Sequence, residues 1–392
     1  MTAAVENRRA AIGFIVCLGI VSLFADMTYE GAHSIIGPFL GDLGAGMATI
    51  AFISGFGEML GASLRFFSGR FADRTHAYWT ITAFGYAMNV IAVPALAYAG
   101  SWKVAAMLVI AERTGKALRG PARDVLLSEA TGEVGHGFGF GLHSIMDQTG
   151  AVVGPLLMWV AVARSQNYGS AFLWLVVPAI GTMLALLTAR VLHPLRGKSA
   201  RIPRQETLPK VFWTYVAAAG LLACGFIDFP VLAAHFQRMA FLKQDQIPLL
   251  YAGAMAVNGL TALIFGRLFD RFGILVLVIG TLISMLSLPL GFLGGPAAAV
   301  ISIACWGTGL GAQDASLRSG IAQVVSMNKR GGAFGAFNGV FGVLWFLGSW
   351  AMGNLYGYSL AAVVAFGVTC QFGAAVMFLM LRRPLAAARQ HH

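Results

Sequence analysis

Apolar runs of about 20 residues recur from one end of this 392-residue chain to the other, and they leave it few folds. In hydrocarbon no water is at hand to bond backbone N–H and C=O groups, so each spanning segment must satisfy them internally, as a helix. Charged residues make up 11% of the sequence, against about 25% in a soluble protein, so most of the chain has no water-facing surface. Twelve spans are read, at 11–36, 46–67, 77–100, 103–120, 137–163, 169–192, 210–236, 247–266, 274–293, 296–316, 332–353 and 358–381. The expected fold class is an all-α membrane protein with twelve transmembrane helices. The first run holds Asp26 and Glu30 and lacks a small-residue cleavage site, so it reads as a span and not as a signal peptide.

The longest polar break, "HPLRGKSARIPRQETLPK", carries Pro194, Pro203 and Pro209. It divides the chain into an expected six-helix bundle over 1–193, a linker over 194–209 and a second six-helix bundle over 210–392. Basic residues crowd one side of this topology: Arg8, Arg9, Arg70, Arg74, Arg119, Arg123, the linker, Arg267, Arg271 and Arg318 among them. The other side receives Lys103, Arg164, Arg238 and Lys243. By the positive-inside rule both termini and the linker are cytoplasmic. The net charge of +11 is therefore a topology signal and not a nucleic-acid footprint, and its natural partner is the anionic bilayer surface. Cys17, Cys224, Cys305 and Cys370 all fall inside spans and show neither a disulfide framework nor zinc-type spacing.

Charges inside the spans carry the functional signal, since each costs at least about 2.5–3.5 kcal/mol at mid-bilayer. Asp26, Glu30 and His33 stand at i, i+4 and i+7 in span one and share a helix face. Glu58 is central in span two, Glu112 and Arg113 in span four, and Asp228 lies past the centre of span seven. His143 and Asp147 share a face of span five. Glu112 and Arg113 are neighbours pointing about 100° apart, which makes a mutual pair poor. Asp124 and Asp314 read as structural partners of nearby arginines.

The halves repeat. "GRFADR" (69–74) ends span two and "GRLFDR" (266–271) ends span eight; "FAD" (24–26) is echoed by "FID" (226–228), and "RTG" (113–115) by "GTG" (307–309). Parallel repeats of this size build one large transporter fold. On these residues the chain resembles the major facilitator superfamily. "GRFADRT" and "GRLFDRFG" look like its motif A, which implies a cytoplasmic conformational latch at Gly69, Asp73, Arg74, Gly266, Asp270 and Arg271. Gly141, Gly150, Gly154 and Pro155 match G-x8-G-x3-G-P, similar to motif C of the drug–proton antiporters, and imply export. Arg113 stands where motif B places a proton-coupling arginine.

The resemblance implies that spans 1, 4, 7 and 10 surround a central cavity, so that Asp26, Glu30, His33, Glu58, Glu112, Arg113, His143, Asp147 and Asp228 converge on a site for protons and substrate. It implies a secondary active transporter working by alternating access, a proton-coupled exporter of small organic, amphiphilic or cationic compounds. A second reading is transport of a divalent metal ion or chelate on Asp26, Glu30, His33, His143, Asp147, Cys224 and Asp228. No P-loop or nucleophile–base motif is present, so neither catalysis nor a cofactor is expected, and the energy source is an ion gradient. The expected setting is a bacterial inner membrane, with the protein working as a monomer.

Overall fold

A computed structural model of the chain describes residues 2–132, 134–192, 208–325 and 330–382. Among these residues there are no strands, and the helices follow one another as twelve membrane-length segments. They are α1 (Thr2–Asp42), α2 (Met47–Thr75), α3 (Tyr78–Ala95), α4 (Trp102–Thr131), α5 (His136–Ser165), the pair α6 (Tyr168–Ala171) and α7 (Val176–Leu192), and the pair α8 (Lys210–Gly225) and α9 (Phe229–Arg238). Then come α10 (Gln246–Phe272), the pair α11 (Leu275–Met285) and α12 (Ser287–Phe292), α13 (Pro296–Val324), α14 (Arg330–Leu355) and α15 (Leu360–Met380). Ten segments are long and apolar enough to cross a membrane on length and composition alone; α4 and α13 complete the twelve. In α4 the shortfall comes from Glu112, Arg113, Lys116 and Arg119, which crowd any window of spanning length. The expected linker falls outside the described residues except for its last two positions.

Large apolar side chains such as Phe67, Phe71, Ile91 and Val177 stand exposed, as they do where lipid is the solvent. Hydroxyls on the spans return to their own helix: Thr28, Thr182 and Thr281 donate to the carbonyls of Phe24, Pro178 and Leu277 at 2.8–2.9 Å. Helix ends follow local chemistry. Ser101 caps α4 through Val104 N, Ser359 caps α15 through Ala361 N, and Gly273, at φ +61°, makes the turn from α10 into α11.

The described residues group into two compact units. One takes α1 up to Phe39, the helices from Leu64 to the middle of the chain, and Gln244–Ala252. Its centre is a pair of glycine crossings. A Cβ at Gly85 of α3 would lie 2.6 Å from Gly115 O, and one at Gly115 of α4 would lie 2.6 Å from Gly85 O. On α5, Gly150 and Gly154 lie directly against the backbone of Leu23 and Met27 in α1, with no room for a side chain. Gly141, the first glycine of the same motif, meets open space and takes no part in this packing. Phe14, Leu18, Tyr78 and Leu126 form the apolar cluster beside it, with Phe14 edge-on to Trp79 at 6.0 Å.

The other unit takes Leu40–Ser63 and the remaining helices of the second half. Phe212, Tyr215, Leu317, Phe337 and Phe378 make its core, and Tyr215 donates to Leu317 O at 2.9 Å. The outer part of α2 packs on α14, where a Cβ at Gly55 would meet Ser349 Cβ at 2.8 Å and Phe52 meets Phe346 edge-on at 5.2 Å. The span expected to run unbroken over 210–236 is in fact interrupted. It stops at Gly225, passes through extended residues and restarts at Phe229, with Pro230 in the first turn of α9. The carbonyls freed by this break are taken up by side chains: Trp306 Nε1 donates to Ile227 O at 2.8 Å, and Gln371 Nε2 to Gly225 O at 2.9 Å.

Because the α1–α5 contact is backbone to backbone, Gly154→Val is expected to destabilise the protein by about 1–3 kcal/mol, while Gly141→Ala leaves it unchanged. Thermal denaturation of the detergent-solubilised variants, followed by size-exclusion chromatography, checks the contrast.

Candidate functional site

The glycine crossings bring α1, α3, α4 and α5 close enough for their polar side chains to meet inside the first unit. From α1, one stripe presents Asp26, Tyr29, Glu30 and His33. Opposite it, α4 presents Glu112, Arg113, Lys116, Arg119 and Arg123, spaced so that each basic group lies about one turn from the next.

The pairs run in register along the two helices. Arg119 Nη2 lies 3.9 Å from Asp26 Oδ1, and Lys116 Nζ lies 3.9 Å from Glu30 Oε1. Arg113 Nη2 donates to His33 Nδ1 at 2.9 Å, which requires that nitrogen to carry no proton. Arg113 Nε also comes within 3.7 Å of Glu112 Oε2, so the neighbours make the pair that their directions disfavour. Tyr29 lies between two cations: its ring centroid is 3.2 Å from Lys116 Nζ and 4.7 Å from Arg113 Cζ. Tyr251, from the short part of α10 that belongs to this unit, donates to Glu30 Oε2 at 2.7 Å.

The two other helices complete the arrangement. From α3, Asn89 Nδ2 donates to Glu112 Oε1 at 2.8 Å, and the Tyr86 ring lies 4.1 Å from Arg119 Cζ. From α5, the Asp147 carboxyl comes up beside that of Asp26. One turn away, His143 Nε2 is 2.9 Å from Ser22 Oγ, which accepts from Arg123 Nη1 at 3.2 Å. Arg123 also donates from Nη2 to Asp124 at 2.9 Å.

Asp26, Glu30, His33, Glu112, Arg113, His143 and Asp147 therefore gather in one unit. Glu58 and Asp228 belong to the other. Asp228, 3% exposed, lies on the extended link between α8 and α9, so it does not share a helix face with Cys224. Cys224 instead contacts Cys370 of α15, thiol to thiol. Among the described residues no group of three or more His, Cys, Asp or Glu side chains could hold a metal ion. Of the motif A residues, Asp73 accepts from Tyr78 OH at 3.1 Å, and a Cβ on Gly69 would touch the Pro121 ring at 3.4 Å. Arg74, Asp270 and Arg271 are exposed, the last with its guanidinium 5.2 Å from the Phe272 ring centroid, and a Cβ on Gly266 would reach Ala315 at 3.9 Å. Pro155 lies inside α5.

Lys116, Arg119 and Arg123 were not among the residues expected here. Arg119 and Arg123 counted as loop charges because span four was expected to stop at 120, whereas α4 runs through Pro121 to Thr131. Their signal was spacing: Arg113, Lys116 and Arg119 recur every third residue, which sets a basic stripe beside the acidic stripe of α1.

An all-helical membrane fold with a charge network buried among its spans is the kind that solute transporters use. The chain belongs to the Major Facilitator Superfamily, whose model matches residues 16–349. It is 37% identical over 385 residues to the uncharacterized protein Rv2265 of Mycobacterium tuberculosis, covering 95% of this chain and 94% of that one. It is 22% identical over 348 residues to an uncharacterized MFS-type transporter of Methanocaldococcus jannaschii, covering 86% and 87%. Among solved structures, the nucleoside transporter NupG superposes with a TM-score of 0.70 at 15% identity, over 96% of this chain and 98% of that one. The peptide transporter POT in complex with sulfate gives 0.76 at 14% identity, over 96% and 95%.

Glu112 is 6% exposed and depends on Asn89 for a hydrogen bond, so Asn89→Leu is expected to lower stability by about 1–3 kcal/mol. Thermal unfolding in detergent, compared with Asn89→Asp at low pH, measures it.

Proposed function

We propose that the protein is a proton-coupled secondary transporter that moves a small organic solute across a bacterial inner membrane by alternating access, with the Asp26–Asp147 pair as proton carrier. One observation carries this reading: the Asp26 carboxyl, buried inside α1, has the carboxyl of Asp147 from α5 and the guanidinium of Arg119 from α4 beside it. An acid held among membrane spans between a like and an opposite charge is placed to take up and release a proton. Arg119 stands 3.9 Å from Asp26, so a proton arriving at or leaving the pair changes the charge that the guanidinium feels. The proton gradient takes the place of any cofactor.

Export is supported by the seating of Gly150 and Gly154 on α1, the packing that the motif C resemblance implies. Alternation is read as a rocking of the bundles 1–193 and 210–392, latched on the cytoplasmic side by Asp73, Arg74, Asp270 and Arg271. The metal reading gains no support: among the described residues no three of its candidate donors come together to hold an ion, and Cys224 and Asp228 lie in the other unit. A cationic cargo gains no support, because the basic stripe of α4 faces the acids of α1.

In proteoliposomes carrying a luminal pH dye, lipophilic cations and aromatic carboxylates are added in turn under an imposed pH gradient. Solute-evoked proton movement is expected from the wild type, at least about tenfold slower in Asp26→Asn and partly restored in Asp26→Glu. Equal rates in wild type and Asp26→Asn would remove the pair from the mechanism.

A further inference from the structure

The acids and bases of the first unit differ in how their hydrogen bonds are spent. Each acid already has a neighbour other than a cation: Glu30 accepts from Tyr251 at 2.7 Å, Glu112 from Asn89 at 2.8 Å, and Asp26 has the Asp147 side chain beside it. The cations stand off from these acids at 3.7–3.9 Å, beyond direct hydrogen bonding. Arg119 is 3% exposed, and its Nη1 has no hydrogen-bond partner. A guanidinium held this deep with an open N–H is a fork without a counterpart. Lys116 lies one turn away; its side chain is 25% exposed, and its ammonium lies over the Tyr29 ring.

A cation entering here would have to displace Tyr251, Asn89 or Asp147 from the acids and approach the positive charges of α4. An oxyanion meets donors that are still open, flanked by the faces of Tyr29 and Tyr86. We propose that Lys116 and Arg119 form a binding site for the oxyanion group, carboxylate or phosphoryl, of a small organic solute. The burial of Arg119 inside the unit favours a free solute over a bilayer headgroup. This inference rests on the transporter reading and supplies its substrate class.

Three ring-matched probes test it on the purified protein in neutral detergent: benzoate, phenyl phosphate and benzyltrimethylammonium, followed by thermal shift and titration calorimetry. Benzoate or phenyl phosphate is expected to bind and stabilise, and the comparison of the two identifies the group preferred. The ammonium probe is expected not to bind. Arg119→Gln and Lys116→Gln are each expected to weaken oxyanion binding by about tenfold or more, with Arg119→Lys recovering part of it. Preferential binding of the ammonium probe, no oxyanion binding to the wild type, or unchanged binding in Lys116→Gln would each overturn the site. Should Arg119→Gln fail to fold, the wild-type probe comparison and the half-buried Lys116→Gln still decide. Oxyanion binding that persists while Asp26→Asn pumps protons normally would overturn the proton carrier and leave the site standing. Proton movement lost in Asp26→Asn without oxyanion binding would do the reverse.

Discussion

Two places where glycine replaces a side chain hold the charged interior of the first unit together. Where Gly85 meets Gly115 and where Gly150 and Gly154 meet α1, helix backbones come into direct contact. In lipid the hydrophobic effect does little to press helices together, and association rests on close packing and interhelical hydrogen bonds. The crossings supply the first and make the second possible. They set Asn89 beside Glu112, Tyr86 beneath Arg119 and Asp147 against Asp26, contacts that bulkier residues at the crossings would put out of reach.

The network that results is held by many modest contacts and not by a few tight ones. A buried ion pair at contact distance recovers part of its desolvation cost but is slow to break. Along the facing stripes of α1 and α4, Arg113, Lys116 and Arg119 stay 3.7–3.9 Å from Glu112, Glu30 and Asp26, and neutral groups such as Tyr251, Asn89 and the ring of Tyr29 share the load. Under the transport function proposed above, a site that binds and releases in every cycle needs charges whose partners can be exchanged at low cost. Dividing each charge among several neighbours meets that need.

Much of this was legible in the order of residues. Apolar runs of spanning length gave the fold class, and the i, i+4, i+7 spacing of Asp26, Glu30 and His33 placed them on one face, where α1 presents them. The spacing of Gly150 and Gly154 did not name the helix they pack on, and Gly141 matched the same pattern without sharing its packing. What escaped was contextual. Arg119 and Arg123 read as membrane-edge charges because hydropathy ends a span where charges begin, while a helix ends only where its backbone bonding ends. The break before Phe229 was written as Gly225 and Pro230, five residues apart, but the apolar run on either side of them carried the span across it.

That break gives the two repeats different mechanics. In α1 a single helix of 41 residues runs unbroken past Asp26, with its one proline, Pro38, close to the end. Its echo in the second half is two shorter rods, α8 and α9, joined by three extended residues and pinned by Trp306 and Gln371. A jointed strut tilts at its ends independently, bending about the pins while each half keeps its internal bonds. Two repeats that began alike in sequence have thus become a stiff lever and an elbow.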